Sequence, residues 1–186
     1  MEVPVLRDFQ IAQYFKELAA DSLYPSAGSS AAVTTAHAAA LFALVCRVNL
    51  RKIQEDTRQG KKECNLWQFW NETLRRTDLL MERSLALAQE DGYAIKDVLE
   101  RNPQAPEIAT AIPLDIARCA GEVISLIKSA FSESYAPVRA DAECARCLAE
   151  GSKKAALMVA RYNLPLLKES ERQNYVNQIT ELEAKS

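Results

Sequence analysis

A run of 25 residues without a charged side chain, from Ser22 to Cys46, constrains the fold more than any other feature. Charged residues make up 26% of the whole chain. The run includes "YPSAGSSAAVTTAHAAALFALVC", which begins with small polar residues and is solidly apolar only over residues 38–46. A membrane-spanning helix needs about 20 predominantly apolar residues. We therefore expect a helix that is buried inside a globular protein and has neighbours on most sides.

The overall composition limits the classes of partner. The net charge of −2 and the isoelectric point of about 5.6 provide no basic surface for nucleic acid. The sequence has no Lys/Arg-rich amphipathic segment that would favour binding to a membrane surface. No basic leader precedes the uncharged run, so we expect no signal peptide. The five cysteines have no repeating spacing, which favours reduced thiols and a cytoplasmic location.

The chain reads as a succession of helices in one domain over residues 1–186. Ala, Leu, Glu, Lys, Arg and Gln dominate, and alternating β-branched runs are absent, so we predict an all-α fold. Asp8 is a candidate cap for the first helix, and Ser29 or Ser30 for the second. The predicted helices cover residues 9–21, 30–50, 63–90, 92–102, 107–131, 141–163 and 165–184. Gly92 marks either a break or a close packing point, and Pro113 predicts a kink or a restart.

Generic catalytic and metal motifs are scarce. There is no standard phosphate loop, HExxH or GxSxG. Cys144 and Cys147 form a CxxC inside a helical pattern without a second pair at zinc spacing, so we interpret them as small core residues. His37 is the only histidine and has no adjacent cysteine or carboxylate partner. We predict that it is buried and neutral, and we predict no metal site.

The order of the segments is more informative. A charge-free small-residue helix follows a Pro/Gly/Ser turn, and then come "LALAQEDGYAIKDVLE", "AIPLDIA" and "RADAECARCLAEGSKKAALMVARYNLPLLKE". This succession resembles the cyclodeaminase/cyclohydrolase family, which includes the C-terminal half of formiminotransferase-cyclodeaminase and the methenyltetrahydrofolate cyclohydrolases. The resemblance covers residues 8 to about 168. It implies a helical bundle around a buried small-residue central helix, assembled as a homodimer.

The resemblance also assigns site residues. Its Pro-Gly-Gly-Gly-Ser-Ala-Ala turn and its Asp-Glu-Asp segment imply a substrate site that here contains Ser26, Ala27, Gly28, Ser29, Ser30 and Glu90. Asn163 falls on a family asparagine and completes the implied substrate site. Asp91 and Asp141 are the carboxylates at family positions and are the implied catalytic residues. The departures from the family pattern include Ala27 and Ser29 in the turn, and Ala140 and Val159 farther along the chain.

The implied substrate is a tetrahydrofolate derivative with a one-carbon unit, and no permanently bound cofactor is implied. In cyclodeamination, N10 attacks the formimidoyl carbon on N5, ammonia leaves and the 5,10-methenyl ring closes. A base must take the N10 proton, and an acid must protonate the leaving nitrogen. A partly buried carboxylate suits this shuttle, because burial raises its pKa. The structural alternatives are that Asp141 is a helix N-cap and that Asp91 is a solvated residue at a helix end.

Three hypotheses remain open from the sequence: a formimidoyltetrahydrofolate cyclodeaminase, a methenyltetrahydrofolate cyclohydrolase, and a non-catalytic family member with a drifted site. Ala27 and Ser29 in place of glycine restrict positive φ angles, which predicts an altered turn. If residues 141–163 form one straight helix, its ends are separated by roughly 33 Å, from 22 steps of about 1.5 Å. Asp141 and Asn163 then cannot both touch the reacting atoms in one pocket.

Overall fold

The computed structural model describes residues 10–58 and 64–185, and all regular structure within them is helical. The predicted all-α class is therefore confirmed for the described part of the chain. The proposed Asp8 cap lies outside the described residues. The helices are α1 (Ile11–Leu18), α2 (Ala27–Arg58), α3 (Cys64–Leu99), α4 (Ala105–Ala130), α5 (Arg139–Asn163) and α6 (Glu169–Ala184), with short 3-10 helices at Ala136–Val138 and Leu164–Leu166.

The uncharged run forms the first half of α2, which packs against α3, α4 and α5. Its alanines allow the neighbouring backbones to approach closely, and Ala32, Ala38 and Ala39 are completely buried. Larger side chains such as Phe42 and Val45 fill the core farther along the helix. The prediction of a buried small-residue central helix is confirmed on the three sides that face these neighbours.

Helix α2 also passes a test for membrane spans that uses only length and composition. The stretch Ala27–Thr57 is long enough and contains an 18-residue segment with a mean hydropathy of 1.6. In this apolar segment, 56% is buried inside the protein. A core helix passes the same test, and the packing of α2 accounts for its composition.

Several predicted helix boundaries were wrong. Helix α2 begins at Ala27 rather than after Ser29 or Ser30, and it continues to Arg58 rather than to residue 50. Helix α3 runs through Gly92 without a break, so the two helices predicted over residues 63–102 are one. Pro113 lies inside a continuous α4. Packing in the bundle outweighs the tendency of glycine and proline to interrupt a helix, because the burial of side chains stabilises a helix more than propensity does.

Two polar contacts show that α2 and α5 are antiparallel. Near the start of α2, the Ser152 hydroxyl of α5 donates to the Ala31 carbonyl at 2.6 Å and lies 2.6 Å from the Thr35 hydroxyl. Near its end, the Asn49 side chain accepts from the Tyr135 backbone N–H at 2.7 Å, just before α5. The C-terminal half of α5 therefore lies beside the beginning of α2.

One face of α2 has no neighbour among the residues that the structure describes. His37, Ala40 and Leu44 are exposed on it, and Leu41 and Val48 are half-buried. The prediction that His37 is buried was wrong, because it faces away from α3, α4 and α5. The uncharged part of α2, up to Cys46, thus extends over a surface that the described residues leave open.

Candidate active site

The start of α2 is closed by a reciprocal pair of serine contacts. Ser26 immediately precedes Ala27, the first residue of the helix. Its backbone N–H donates to the Ser29 hydroxyl oxygen at 2.8 Å, and the Ser29 hydroxyl donates to the Ser26 carbonyl at 2.9 Å. In a capping box, the side chain of the third helical residue accepts the backbone N–H of the N-cap residue. Ser29 fills this third position, where Glu or Gln is usual. Ser26 is therefore the N-cap residue, which corrects the prediction of Ser29 or Ser30.

A carboxylate from α3 supplies the other half of the cap. Asp91 Oδ2 accepts the Ser29 backbone N–H at 2.8 Å and the Ser26 hydroxyl at 3.2 Å. The orphan N–H of a first helical turn is usually satisfied by the N-cap side chain itself, but here Asp91 takes that place. Its negative charge also lies where the helix dipole favours an anion. Asp91 is 5% exposed and lies in the interior of α3, so the alternative of a solvated residue at a helix end was wrong.

Gly28 is the residue that permits this contact. A Cβ at position 28 would lie 2.1 Å from Asp91 Oδ1 and 2.6 Å from its Cγ. No side chain therefore fits between the first turn of α2 and α3 while Asp91 keeps its position. Glycine is required at position 28 because the Asp91 side chain approaches its Cα closely. It is not required for a positive φ, since this part of the backbone is helical.

The helical turn also changes the meaning of the two glycine replacements. Ala27 and Ser29 lie in the first turn of α2, and Arg101 is the only non-glycine residue with a positive φ in the described part of the chain. Neither residue therefore has the positive φ that glycine favours, and a turn altered relative to the family stays a prediction. Ala27 is exposed, and Ser29 contributes its hydroxyl to the cap.

Tyr24 anchors the segment that leads into the turn, and no local pattern in the sequence indicated this role. Its hydroxyl donates to the Ala88 carbonyl of α3 at 3.1 Å, and its side chain is buried. A Cβ on Gly92 would lie 2.5 Å from the Tyr24 ring. Of the two interpretations of Gly92, the structure supports the close packing point.

The environment of Asp91 makes its carboxyl easier to protonate than that of an exposed aspartate. Burial raises the pKa of this carboxyl above its ordinary value of 3.8, and the hydrogen bonds from Ser29 and Ser26 oppose the rise. No hydrogen bond to Oδ1 is present among the described residues, whereas Oδ2 accepts two. Asp91 is therefore a carboxyl that can hold or release a proton at one oxygen while the other secures α2.

The remaining predicted substrate residues near the turn differ in their surroundings. Ser30 is half-buried and accepts a hydrogen bond from the Tyr14 hydroxyl of α1 at 3.3 Å. Glu90, the neighbour of Asp91, forms an ion pair with Arg83 near the surface. The structure thus brings Ser26, Gly28 and Ser29 together with Asp91, whereas Glu90 is engaged by a cation of its own helix.

Asp141 and Asn163 lie at opposite ends of the single helix α5. Asp141 is in the first turn and is separated from Ser152, which contacts the start of α2, by 11 steps, or about 16 Å. Because α2 and α5 are antiparallel, Asp141 lies toward the C-terminal end of α2, whereas Asp91 lies at its beginning. The Asn163 amide donates to the Ala109 carbonyl of α4 at 2.7 Å. The structure does not bring Asp141 to the Asp91 turn.

The described residues contain no group of three or more His, Cys, Asp or Glu side chains placed to hold a metal ion. Cys144 and Cys147 are free and exposed on α5. The interpretation of these two cysteines as core residues was wrong, because their face of α5 points to solvent.

Comparison with known proteins places this architecture in a family. A sequence model described as formiminotransferase-cyclodeaminase matches residues 10–181. The chain belongs to the formiminotransferase-cyclodeaminase family. A crystal structure of formiminotetrahydrofolate cyclodeaminase from Thermotoga maritima is similar in fold, with a TM-score of 0.85 at 17% sequence identity, over 96% of this chain and 90% of that one. A search of curated proteins finds no match.

We expect Gly28→Ala to lower the free energy of unfolding by about 1–3 kcal/mol, the usual cost of a buried polar group without its partner. The added methyl group must displace Asp91, which leaves the Ser29 N–H without an acceptor. Gly121→Ala in α4 is the matched control, because a Cβ there meets nothing within 4 Å. Alanine should stabilise that helix by up to about 1 kcal/mol. Urea unfolding of both variants measures the difference, and an equal effect at the two positions would contradict the account of the turn.

Proposed function

We propose that the protein is a folate one-carbon enzyme that converts 5-formimidoyltetrahydrofolate into 5,10-methenyltetrahydrofolate and ammonia. Membership of the formiminotransferase-cyclodeaminase family supports the reaction class. The main support for placing the reaction at the start of α2 is the state of Asp91. Its carboxyl is buried at a helix N-terminus and has a raised pKa. Such a group matches the need of this reaction for a proton acceptor that becomes a donor. The free cysteines of the described residues suit a reducing cytoplasm.

Asp91 Oδ1 is the proposed point of proton transfer. N10 of the substrate forms a bond to the formimidoyl carbon and loses its proton to the carboxylate. The protonated carboxyl then returns that proton to the departing nitrogen, the carbon–nitrogen bond breaks, and ammonia leaves. One group can serve both steps because desolvation raises the pKa of Asp91, which makes its carboxylate a better proton acceptor.

The accessible edge of the turn is the proposed docking point for the substrate. Ala27 is exposed and Ser26 and Ser30 are half-buried, so a planar ring can approach Asp91 over small side chains. The tetrahydrofolate derivative is the substrate, and no permanently bound cofactor is proposed. Asp141 contributes to the same pocket only if a second copy of the chain brings it there, because its own α5 carries it away from the turn.

A non-catalytic role is the second candidate, and one contact favours it. Asp91 Oδ2 already caps α2 through the Ser29 N–H, which is a sufficient structural reason for an aspartate at this position. Under this alternative the family fold and the turn persist without turnover. Kinetic measurement on Asp91 separates the two candidates.

We expect Asp91→Asn to lower kcat for cyclodeamination by about 10²–10⁴-fold, the usual contribution of a general acid–base group. The asparagine oxygen can still accept the Ser29 N–H, so the fold should persist. Asp97→Asn, farther along α3, is the control and should keep full activity. Absorbance at the methenyl band, with formimidoyl- or methenyltetrahydrofolate as the starting compound, distinguishes cyclodeaminase from cyclohydrolase.

Two outcomes would contradict the proposal. Unchanged kcat in Asp91→Asn would remove Asp91 from the chemistry. Absence of turnover together with absence of a thermal shift by any reduced folate would favour the non-catalytic alternative. A folate at one hundred times its Kd should stabilise the protein by about 2.7 kcal/mol.

We further propose that the open face of α2 binds a second copy of the chain. The exposed residues His37, Ala40 and Leu44 are uncharged, and Ala40 at the centre of the face allows close approach of another helix. Beyond them, Arg47 and Arg51 border a shallow groove with Leu44 and Val48. An uncharged face next to basic residues is typical of an apolar interface with a polar rim.

We expect light scattering to give a mass near twice 20.7 kDa for the wild-type protein. Leu44→Glu should give a monomer, because it places a carboxylate on the apolar face. Leu99→Glu provides the control, since Leu99 is also exposed but lies at the end of α3. A monomeric wild-type protein, or a dimeric Leu44→Glu variant, would rule out this interface.

A further inference from the structure

Lys153 is a buried cation for which the described residues supply no carboxylate. Its side chain is only 6% exposed, and its ammonium group donates to the Lys185 carbonyl at 2.9 Å. An ammonium group has three N–H donors, and one neutral oxygen is weak compensation for a buried charge. Burial lowers the pKa of Lys153, and the nearby charges of Lys128 and Lys185 lower it further. The position therefore favours an added anion.

A cavity of about 610 Å³ adjoins this lysine, between α4, α5 and α6. Ile124, Leu157 and Met158 form apolar walls, and Lys153 and Lys154 supply positive charge. The cavity has the size and the mixed lining of a site for a small organic molecule. It lies on a different face of α5 from Ser152, which contacts α2, and it includes none of the residues of the Asp91 turn.

The carboxylates around the cavity are engaged by arginines. Glu150 pairs with Arg146 at 2.5 Å, and Glu183 pairs with Arg161 at 2.7 Å. Lys153 and Lys154 have no carboxylate partner within ion-pair distance among the described residues. The local charge balance at the lysines is therefore positive.

We propose that this cavity binds an organic carboxylate with an apolar body, whose carboxylate contacts Lys153 and Lys154 and whose body lies against Ile124, Leu157 and Met158. The ligand is either a free acid or the carboxylate end of a larger molecule. An anion without an apolar part leaves the three walls uncovered, and an apolar molecule without an anion leaves Lys153 uncompensated.

Isothermal titration calorimetry tests the proposal with three probes: octanoate, N-(4-aminobenzoyl)-L-glutamate and octanol. We expect octanoate or the aminobenzoylglutamate to bind, and octanol, which lacks the charge, to bind at least tenfold more weakly. Preference for octanoate indicates a free acid. Preference for aminobenzoylglutamate, the carboxylate end of a folate, indicates a larger ligand, and this second reading rests on the proposed function.

Lys153→Met is the decisive variant, because methionine keeps most of the buried stem and removes the charge. It should weaken binding of the preferred carboxylate at least tenfold. Lys168→Met, at a lysine that is 78% exposed, should bind within twofold of the wild type. Circular dichroism confirms that both variants fold.

The proposal would be overturned if neither octanoate nor the aminobenzoylglutamate bound at millimolar concentration. It would also be overturned if Lys153→Met bound the preferred carboxylate as tightly as the wild type. Both results are independent of whether the protein has cyclodeaminase activity. If Lys153→Met does not fold, Lys154→Met provides the same test, because Lys154 is exposed at the cavity and its loss should weaken binding without affecting the core.

Discussion

The contact between the Asp91 carboxylate and the first turn of α2 is the interaction on which the rest of the structure depends. It joins the two longest helices of the described chain, at the point where the central helix begins. Gly28 allows the approach, Ser29 donates its backbone N–H, and Asp91 accepts it in a place with little access to water. Since burial also raises the pKa of Asp91, the same contact that starts the helix produces a carboxyl suited to proton transfer.

The absence of charge from Ala27 to Cys46 in α2 has two physical origins. Over most of its circumference, α2 lies against α3, α4 and α5, where an unpaired charge would be expensive to bury. The few polar groups on this side find partners within the chain, as Thr35 does with Ser152. On the remaining face, His37, Ala40 and Leu44 are exposed, and there the proposed contact with a second copy of the chain would account for the lack of charge.

The sequence predicted the all-α class, the central helix and the serine–glycine turn, because these features follow from composition and local pattern. It could not predict that α3 continues through Gly92, since a glycine that accommodates the Tyr24 ring and a glycine that ends a helix look alike along the chain. The role of Asp91 as the cap of α2 depends on a contact across more than 60 positions, and no local signal specifies it. His37 and Cys144 were misplaced for a related reason, because periodicity alone does not show which face of a helix has a neighbour.

The pH titration of Asp91 and Ser29 by nuclear magnetic resonance tests the central claim most directly. We expect the Asp91 side-chain carboxyl carbon to titrate with a pKa above 3.8, and the Ser29 amide signal to shift with the same midpoint. A raised pKa means that the folded protein binds the proton more tightly than the unfolded chain. The stabilising contribution of this group is then largest below about pH 4 and is lost as the pH rises through the folded pKa. A pKa at or below 3.8, or a Ser29 amide that does not respond to Asp91, would contradict the account.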